Sequence, residues 1–342
     1  METVHRITPE RRLGRPLDTF GGEYNETDYV SRHDRHTVML LGILAACSGA
    51  QMTSPDQSTE ASGAPTSTSP TASSSPINLT PAASPIGSLV AGINPTTGEV
   101  TVIAKDYSFD APDSIPAGPT TFRLINEGTE LHHLQLAKLP EGKTMADVEA
   151  GMASGEEMGW LIETGGPNAA VPGDSTIAIA PLEAGQYVLM CVIPSPDGTP
   201  HVAKGMIKPL QVTADGAPTA VEPTADITMT LKDYGFDLST PITAGKHMIK
   251  VENAGPQTHE VVVLQFAPGK TMDDFMAWEQ GGMQGPPPGK FIGGITAIEN
   301  GGYGYFTEDF APGDYALLCF LPDTGDGKPH LTHGMAQSFA IQ

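Results

Sequence analysis

From residue 95 to the C-terminus, short runs alternate apolar with polar residues or gather β-branched ones, and glycine or proline punctuates them. Such runs mark half-buried strands. They predict strands at Glu99–Ala104, Thr121–Asn126, His133–Lys138, Thr176–Ala180, Gln186–Cys191 and Met206–Val212, with counterparts later in the chain. One short helix is expected after each GKTM segment, at Met145–Met152 and Met272–Gln280. Thr144 and Thr271 are their expected N-caps, with acids in the first turn. Many short strands closely spaced by turns make an all-β sandwich the expected fold class.

The counterparts exist because the chain repeats itself, a property best sought before any other. Val100–Ala150 aligns without gaps on Ile227–Ala277, with 18 identities in 51 positions, including KDYSFD with KDYGFD and both GKTM segments. Further on, GQYVLMC (185–191) matches GDYALLC (313–319), and PHVAKGM (200–206) matches PHLTHGM (329–335). Two domains are therefore expected, at 95–214 and 224–342, joined by a linker at 215–223.

Upstream, the pattern changes. Thr37–Ala46 is the longest apolar run, too short to span a bilayer but suited to the core of an export signal. Arg32, His33, Arg35 and His36 precede it as a basic region. Leu44-Ala45-Ala46-Cys47 resembles the lipobox of bacterial lipoproteins. That resemblance implies cleavage before Cys47, lipid on its sulfur and a protein tethered to the cell membrane on the extracytoplasmic side. The basic region lies far from Met1, so translation is expected to start nearer Val30 or Met39. From Ser48 to Pro85, and on towards residue 94, a Ser/Thr/Pro-rich stretch cannot bury enough apolar area to offset chain entropy and is expected to be a disordered stalk.

Composition narrows the partners. A net charge of −22 repels a phosphate backbone, so nucleic acid is excluded. Three cysteines without CxxC spacing exclude a disulfide scaffold and thioredoxin chemistry.

The candidate chemistry lies where the repeats agree. His132 matches His259, Cys191 matches Cys319, His201 matches His330, and Met206 matches Met335. Each first histidine follows an N-x-G turn, Asn126-Glu127-Gly128 or Asn253-Ala254-Gly255. About two-thirds of the aligned N-terminal positions differ, yet all four of these types are kept. Two imidazoles, a thiolate and a thioether form the ligand set of a blue-copper electron-transfer site.

On these residues each repeat resembles a cupredoxin, the type 1 copper domain, over about 240 of the 342 residues. The resemblance implies a Greek-key β-sandwich and up to two copper ions, one per repeat. His132, Cys191 and His201 would be equatorial ligands with Met206 axial; His259, Cys319, His330 and Met335 would serve likewise. Two features depart from the family. Nine residues (192–200) and ten residues (320–329) separate Cys from the second His, where small cupredoxins have fewer. The extra length costs only about 1.3 kcal/mol in loop closure. His133 and Glu260 also stand where the family often has Asn or Asp to pin the copper loop. His133, His247 and His333 have no match in the other repeat and are expected at the surface, with His333 placed to compete as a ligand.

Enzymatic motifs are missing. Cys191 lies between Met190 and Val192, and Cys319 between Leu318 and Phe320, so the His-Cys-His of multicopper oxidases is absent. His259-Glu260 begins like HExxH, but Val263 ends that reading. The expectation is a non-enzymatic, membrane-tethered electron carrier with redox partners. A copper storage or delivery module exchanging metal with a partner protein, and a metal-free interaction sandwich, are the alternatives.

Overall fold

The computed structural model describes residues 91–94, 98–155, 158–214 and 222–342. Leu44–Cys47, the Ser/Thr/Pro-rich stretch and nearly all of the 215–223 linker lie outside the described residues. The first repeat contains β1 (Gly92–Ile93), β2 (Val100–Lys105), β3 (Ser108–Asp110), β4 (Ser114–Pro116), β5 (Gly118–Asn126) and β6 (Gln135–Lys138). After helix α1 (Met145–Ser154) come β7 (Ile162–Glu163), β8 (Ser175–Leu182), β9 (Gly185–Met190) and β10 (Ile207–Thr213). The second repeat contains β11 (Ile227–Lys232), β12 (Gly235–Leu238), β13 (Gly245–Asn253) and β14 (His259–Phe266). Helix α2 (Met272–Gln280) precedes β15 (Gly289–Ile298), β16 (Tyr303–Phe310), β17 (Gly313–Leu318) and β18 (Ala336–Ile341).

The fold is all-β, as the alternation predicts, with one short helix in each repeat. Both helices start where expected. The Thr144 N–H donates to Asp147 Oδ2 (2.8 Å), and the Thr271 N–H to Asp274 Oδ2 (3.0 Å), which satisfies donors that a helix start leaves open. The strand at 133–138 is shorter than expected and begins at Gln135. Its upstream residues bond a different segment instead: the Leu134 N–H donates to Pro167 O (2.9 Å).

Each repeat stacks part of a shared nine-stranded sheet on a smaller sheet of its own. The shared sheet runs β1-β2-β5-β8-β16-β13-β11-β12, with β3 beside β2. Facing it are β4-β10-β9-β6-β7 in the first repeat and β15-β14-β17-β18 in the second. The chain keeps changing sheets, so β9 lies between β10 and β6, and β14 between β15 and β17, in the Greek-key manner. Val102, Phe122, Leu136, Leu189 and Leu210 fill the first core; Met229, Val251, Val263, Phe306 and Leu317 fill the second. These are the inward members of the alternation.

The seam between the repeats pairs equivalent segments. β8 meets β16 antiparallel at Ala178↔Phe306 and Ile179↔Tyr305. A second antiparallel contact joins Thr164 to Ile298 and Pro167 to Ile295. There Gly165-Gly166 of one repeat faces the region of Gly293-Gly294 of the other: the Thr296 N–H donates to Gly166 O (2.9 Å), and the Asn168 N–H to Gly294 O (3.3 Å).

One carboxyl on this seam is poorly placed. Glu163 Oε2 is sealed from water with no hydrogen-bond partner among the described residues. Burial, with the Glu299 carboxylate second, pushes its pKa up to about 8. The folded protein therefore keeps a proton that the unfolded chain releases near pH 4.5. The associated stability is complete below that pH and is lost as pH rises towards 8. Glu163→Gln should melt with the unsubstituted protein at pH 4.5 and above it at pH 8.5, by the equivalent of roughly 1–3 kcal/mol. Melting curves that stay parallel across this range would remove the explanation.

Candidate metal centres

The two N-x-G turns place the first histidine of each repeat. Asn126 folds its turn by accepting the Gly128 N–H at Oδ1 (2.8 Å) and donating to Glu130 O and Ala170 O (both 2.7 Å). Asn253 accepts the Gly255 N–H (2.9 Å) and donates to Gln257 O and Ile298 O (both 2.8 Å). The turn glycine is needed for clearance. A Cβ at Gly128 would stand 2.4 Å from Asp106 Oδ1 and 2.6 Å from His132 Nε2.

That clearance admits a carboxylate that the sequence reading left without a role. Asp106 Oδ1 lies 3.0 Å from His132 Nε2, and Asp233 Oδ1 lies 2.6 Å from His259 Nε2. Both belong to the repeated KDY, whose tyrosines stand edge-on to the second histidines: Tyr107 to His201 and Tyr234 to His330, each with ring centroids 5.4 Å apart. The near-identity of KDYSFD and KDYGFD was the available signal for this support.

The long spans between Cys and the second His fold back on themselves. Pro194 bridges Pro200, and Pro322 bridges Pro329. The His201 N–H then donates to Ile193 O (2.9 Å) and the Val202 N–H to Cys191 O (2.7 Å). In the second repeat the His330 N–H donates to Leu321 O (2.8 Å) and the Leu331 N–H to Cys319 O (2.9 Å). The additional residues are thus a closed side hairpin that leaves Cys and His adjacent. Each second histidine opens a 3-10 turn, His201–Lys204 or His330–His333, ended by a glycine in the left-handed region.

The structure brings His132, Cys191 and His201 together, and likewise His259, Cys319 and His330, all fully buried. His132 Nδ1 faces His201 Nδ1 at 3.0 Å, and His259 Nδ1 faces His330 Nδ1 at 3.1 Å. Cys191 Sγ lies 3.4 Å from His201 Nδ1, and Cys319 Sγ 3.4 Å from His330 Nδ1. Met206 and Met335 are also fully buried, in the cores that hold Cys191 and Cys319. Their backbones bind both neighbours: the Met206 N–H donates to His201 O (3.0 Å) and Met206 O accepts the Cys191 N–H (3.2 Å), with the same pair at Met335.

Protonation shows that these donors fit a cation. Burial, only partly offset by the carboxylates, holds His132 and His259 below the ordinary histidine pKa, and burial drives His330 down to about 4. Neutral rings with Nε2–H donated to Asp106 and Asp233 carry bare Nδ1 lone pairs. His201 Nε2 is likewise 2.8 Å from Glu130 Oε2, and in the first repeat the two Nδ1 atoms face one another at 3.0 Å. Imidazoles backed by carboxylates are a usual metal-binding arrangement. The thiols are neutral without one, since burial pushes Cys191 up to about 12 and raises Cys319 as well. Backbone N–H groups already point at the sulfurs, from His133 and Ile193 to Cys191 and from Glu260 and Leu321 to Cys319. They favour the thiolate.

Of the unmatched histidines, His133 corrects the expectation of a surface position: it is 5% exposed. Its Nε2 accepts the N–H of Val192, the residue after Cys191, at 2.9 Å. Glu260 Oε1 accepts the N–H of Phe320, the residue after Cys319, at 3.0 Å. Both side chains thereby pin the cysteine loop, with different chemistry from the expected Asn or Asp. His247 is half-buried against Asp226, and His333 is exposed, 3.1 Å from Asp326 and apart from the His259/Cys319/His330 group. The centres also differ behind the second histidine. Gln257 stands where Glu130 does but turns to Asp323 Oδ2 (2.9 Å), leaving His330 Nε2 buried without a partner among the described residues.

No protein-family model matches the chain, and no curated protein matches it. Among solved structures it is similar to the dithionite-reduced auracyanin of Roseiflexus castenholzii, at 20% identity over 33% of this chain and 94% of that one (TM-score 0.24). Auracyanin A, a blue copper protein from Chloroflexus aurantiacus, is 18% identical over 34% of this chain and 98% of that one (TM-score 0.24). A multicopper oxidase is 13% identical over 71% of this chain and 88% of that one (TM-score 0.23).

Proposed function

We propose that the protein binds copper at two centres, one per repeat, and passes single electrons outside the cytoplasm. The supporting observation is the duplicated set of facing Nδ1 atoms with a buried cysteine sulfur, each set held by its own carboxylate and backbone donors. His132, Cys191 and His201 would hold the first ion and His259, Cys319 and His330 the second, with Met206 and Met335 each adding a thioether sulfur. Copper would supply a one-electron couple, since thiolate and thioether suit Cu(I) and imidazole suits Cu(II).

The chain's own residues have three tasks. Asp106, Asp233 and Glu130 hold the imidazoles in the tautomer that presents Nδ1. The N–H groups at the sulfurs stabilise the thiolate once its proton leaves. The folded-back loops keep Cys and His adjacent whatever the charge between them. An acidic chain suits basic redox partners, and lipid on Cys47 would keep the carrier at the membrane. We take the domains as 95–214 and 224–342. Neither Cys191 nor Cys319 is flanked by histidine, which favours a carrier over an oxidase.

Addition of Cu(II) to purified protein should give two copper ions per chain by elemental analysis and an intense blue thiolate-to-copper band. A colourless protein holding tight Cu(I) points to storage or delivery instead. No bound copper ends the reading.

A further inference from the structure

Besides binding their own loops, the side chains of His133 and Glu260 meet a third residue. Asn168 lies on the seam, is 2% exposed, and has Thr296 as its equivalent in the second repeat. Its Nδ2 is 3.0 Å from Glu260 Oε2, 3.2 Å from Val261 O and 3.3 Å from Ile295 O. Three acceptors around one atom fix it as the nitrogen, because a flipped amide would set its carbonyl against three oxygens. On the other side, the His133 ring neighbours the Asn168 side chain, whose Oδ1 accepts the Ala169 N–H (2.9 Å). Since His133 Nε2 accepts the Val192 N–H, its proton is on Nδ1.

Both ends of this arrangement reach a sulfur. The His133 N–H points at Cys191 Sγ (3.5 Å), and the Glu260 N–H at Cys319 Sγ. A buried line of neighbouring polar side chains therefore runs Cys191–His133–Asn168–Glu260–Cys319 across the seam. Thr296 makes no such span, because its Oγ1 reaches only Leu134 O and Gly166 O (both 3.3 Å). The connection depends on a seam position where the two repeats carry different residues.

We propose that Asn168 couples the two metal centres, so that filling either one raises the affinity of the other. The proposal rests on the metal-binding reading above. An ion held at the first centre would settle the Cys191 sulfur, and with it the His133 N–H and the Val192 loop that bond to it and to one another. The His133 ring then holds Asn168, which holds Glu260, which holds the Phe320 N–H beside Cys319. Ordering accomplished by the first ion is not repeated for the second, and by linkage the effect is mutual. A network sealed from water has little freedom to absorb a shift at one end without passing it on.

The measurement is a Cu(I) titration against a competing chelator. Cys319→Ser gives the affinity of the first centre alone, and Cys191→Ser that of the second. The overall two-ion constant of the unsubstituted protein, divided by the product of those single-centre constants, should be about 5–150. Asn168→Thr installs the residue that the second repeat carries at this position and should bring the ratio to one. Asn168→Ala, read the same way, replaces it if Asn168→Thr melts early. Thr296→Val, which disturbs the seam but not the line, should leave the ratio raised. Copper at both centres with a ratio of one in the unsubstituted protein overturns the coupling alone. A raised ratio that survives both Asn168 substitutions moves the coupling elsewhere and overturns the role of Asn168. Failure of every protein to bind copper instead overturns the metal-binding reading.

Discussion

Cys191→Ser should remove one copper and about half of the thiolate-to-copper absorption, and pairing it with Cys319→Ser should abolish the band. The hydroxyl of serine does not ionise at these pH values, so neither the anionic ligand nor its charge-transfer transition survives. The loss in copper affinity should exceed the 10–100-fold typical of removing a residue that merely supports a ligand. The burial that raises Cys191 to about 12 sets a further condition, since the ion must displace a proton to bind. Affinity should therefore rise with pH. Copper counts and spectra of the two single variants and the double variant test this. Retention of the full band in Cys191→Ser would place the chromophore elsewhere. Melting of the metal-free variants separates lost ligation from lost folding.

Gly166→Ala should cost at least about 3 kcal/mol of folding stability. Gly166 has φ +146°, and a Cβ there would stand 2.1 Å from Leu134 O. Gly294, its equivalent, has φ +111° with a Cβ 2.0 Å from Val261 O. Leu134 and Val261 each lie two residues beyond a first histidine, so relief of the overlap has to move the backbone that carries His132 or His259. The added methyl group meets a backbone carbonyl first, which cannot swing aside as the end of a side chain would. Denaturant unfolding of the metal-free protein gives the loss directly, and a midpoint equal to that of the unsubstituted protein would refute the crowding. Weaker copper binding at the first centre is the accompanying expectation.

Much of the fold was legible because the alternation and the repeat point to the same elements. Six strands and a helix per repeat follow from them, and α2 was placed at both its ends. β15 was missed, since Gly293-Gly294 reads as a break where the seam in fact requires bare backbone. The short strands β1, β3, β4 and β7 carry too few residues to show a period. At the candidate centres, the imidazoles and cysteines that converge were visible as matched types in matched order. Asp106 and Asp233 were visible only as repeat identity, because nothing in local sequence says that a turn will carry KDY to a histidine 26 residues away. His133 was misjudged for a physical reason. A histidine unmatched in the other repeat looks exposed, but the seam covers it, and no periodicity reports a contact made 59 residues later with Val192.

The pairing of Ala178 with Phe306 gives the molecule the character of a fused homodimer. Residues at the same place in both copies meet across a local twofold axis, as they do in an isologous association of identical subunits. Either half on its own would present a bare strand margin to solvent, a liability that native sheets avoid. Severed halves should consequently seek out each other, or copies of themselves, before behaving as free monomers.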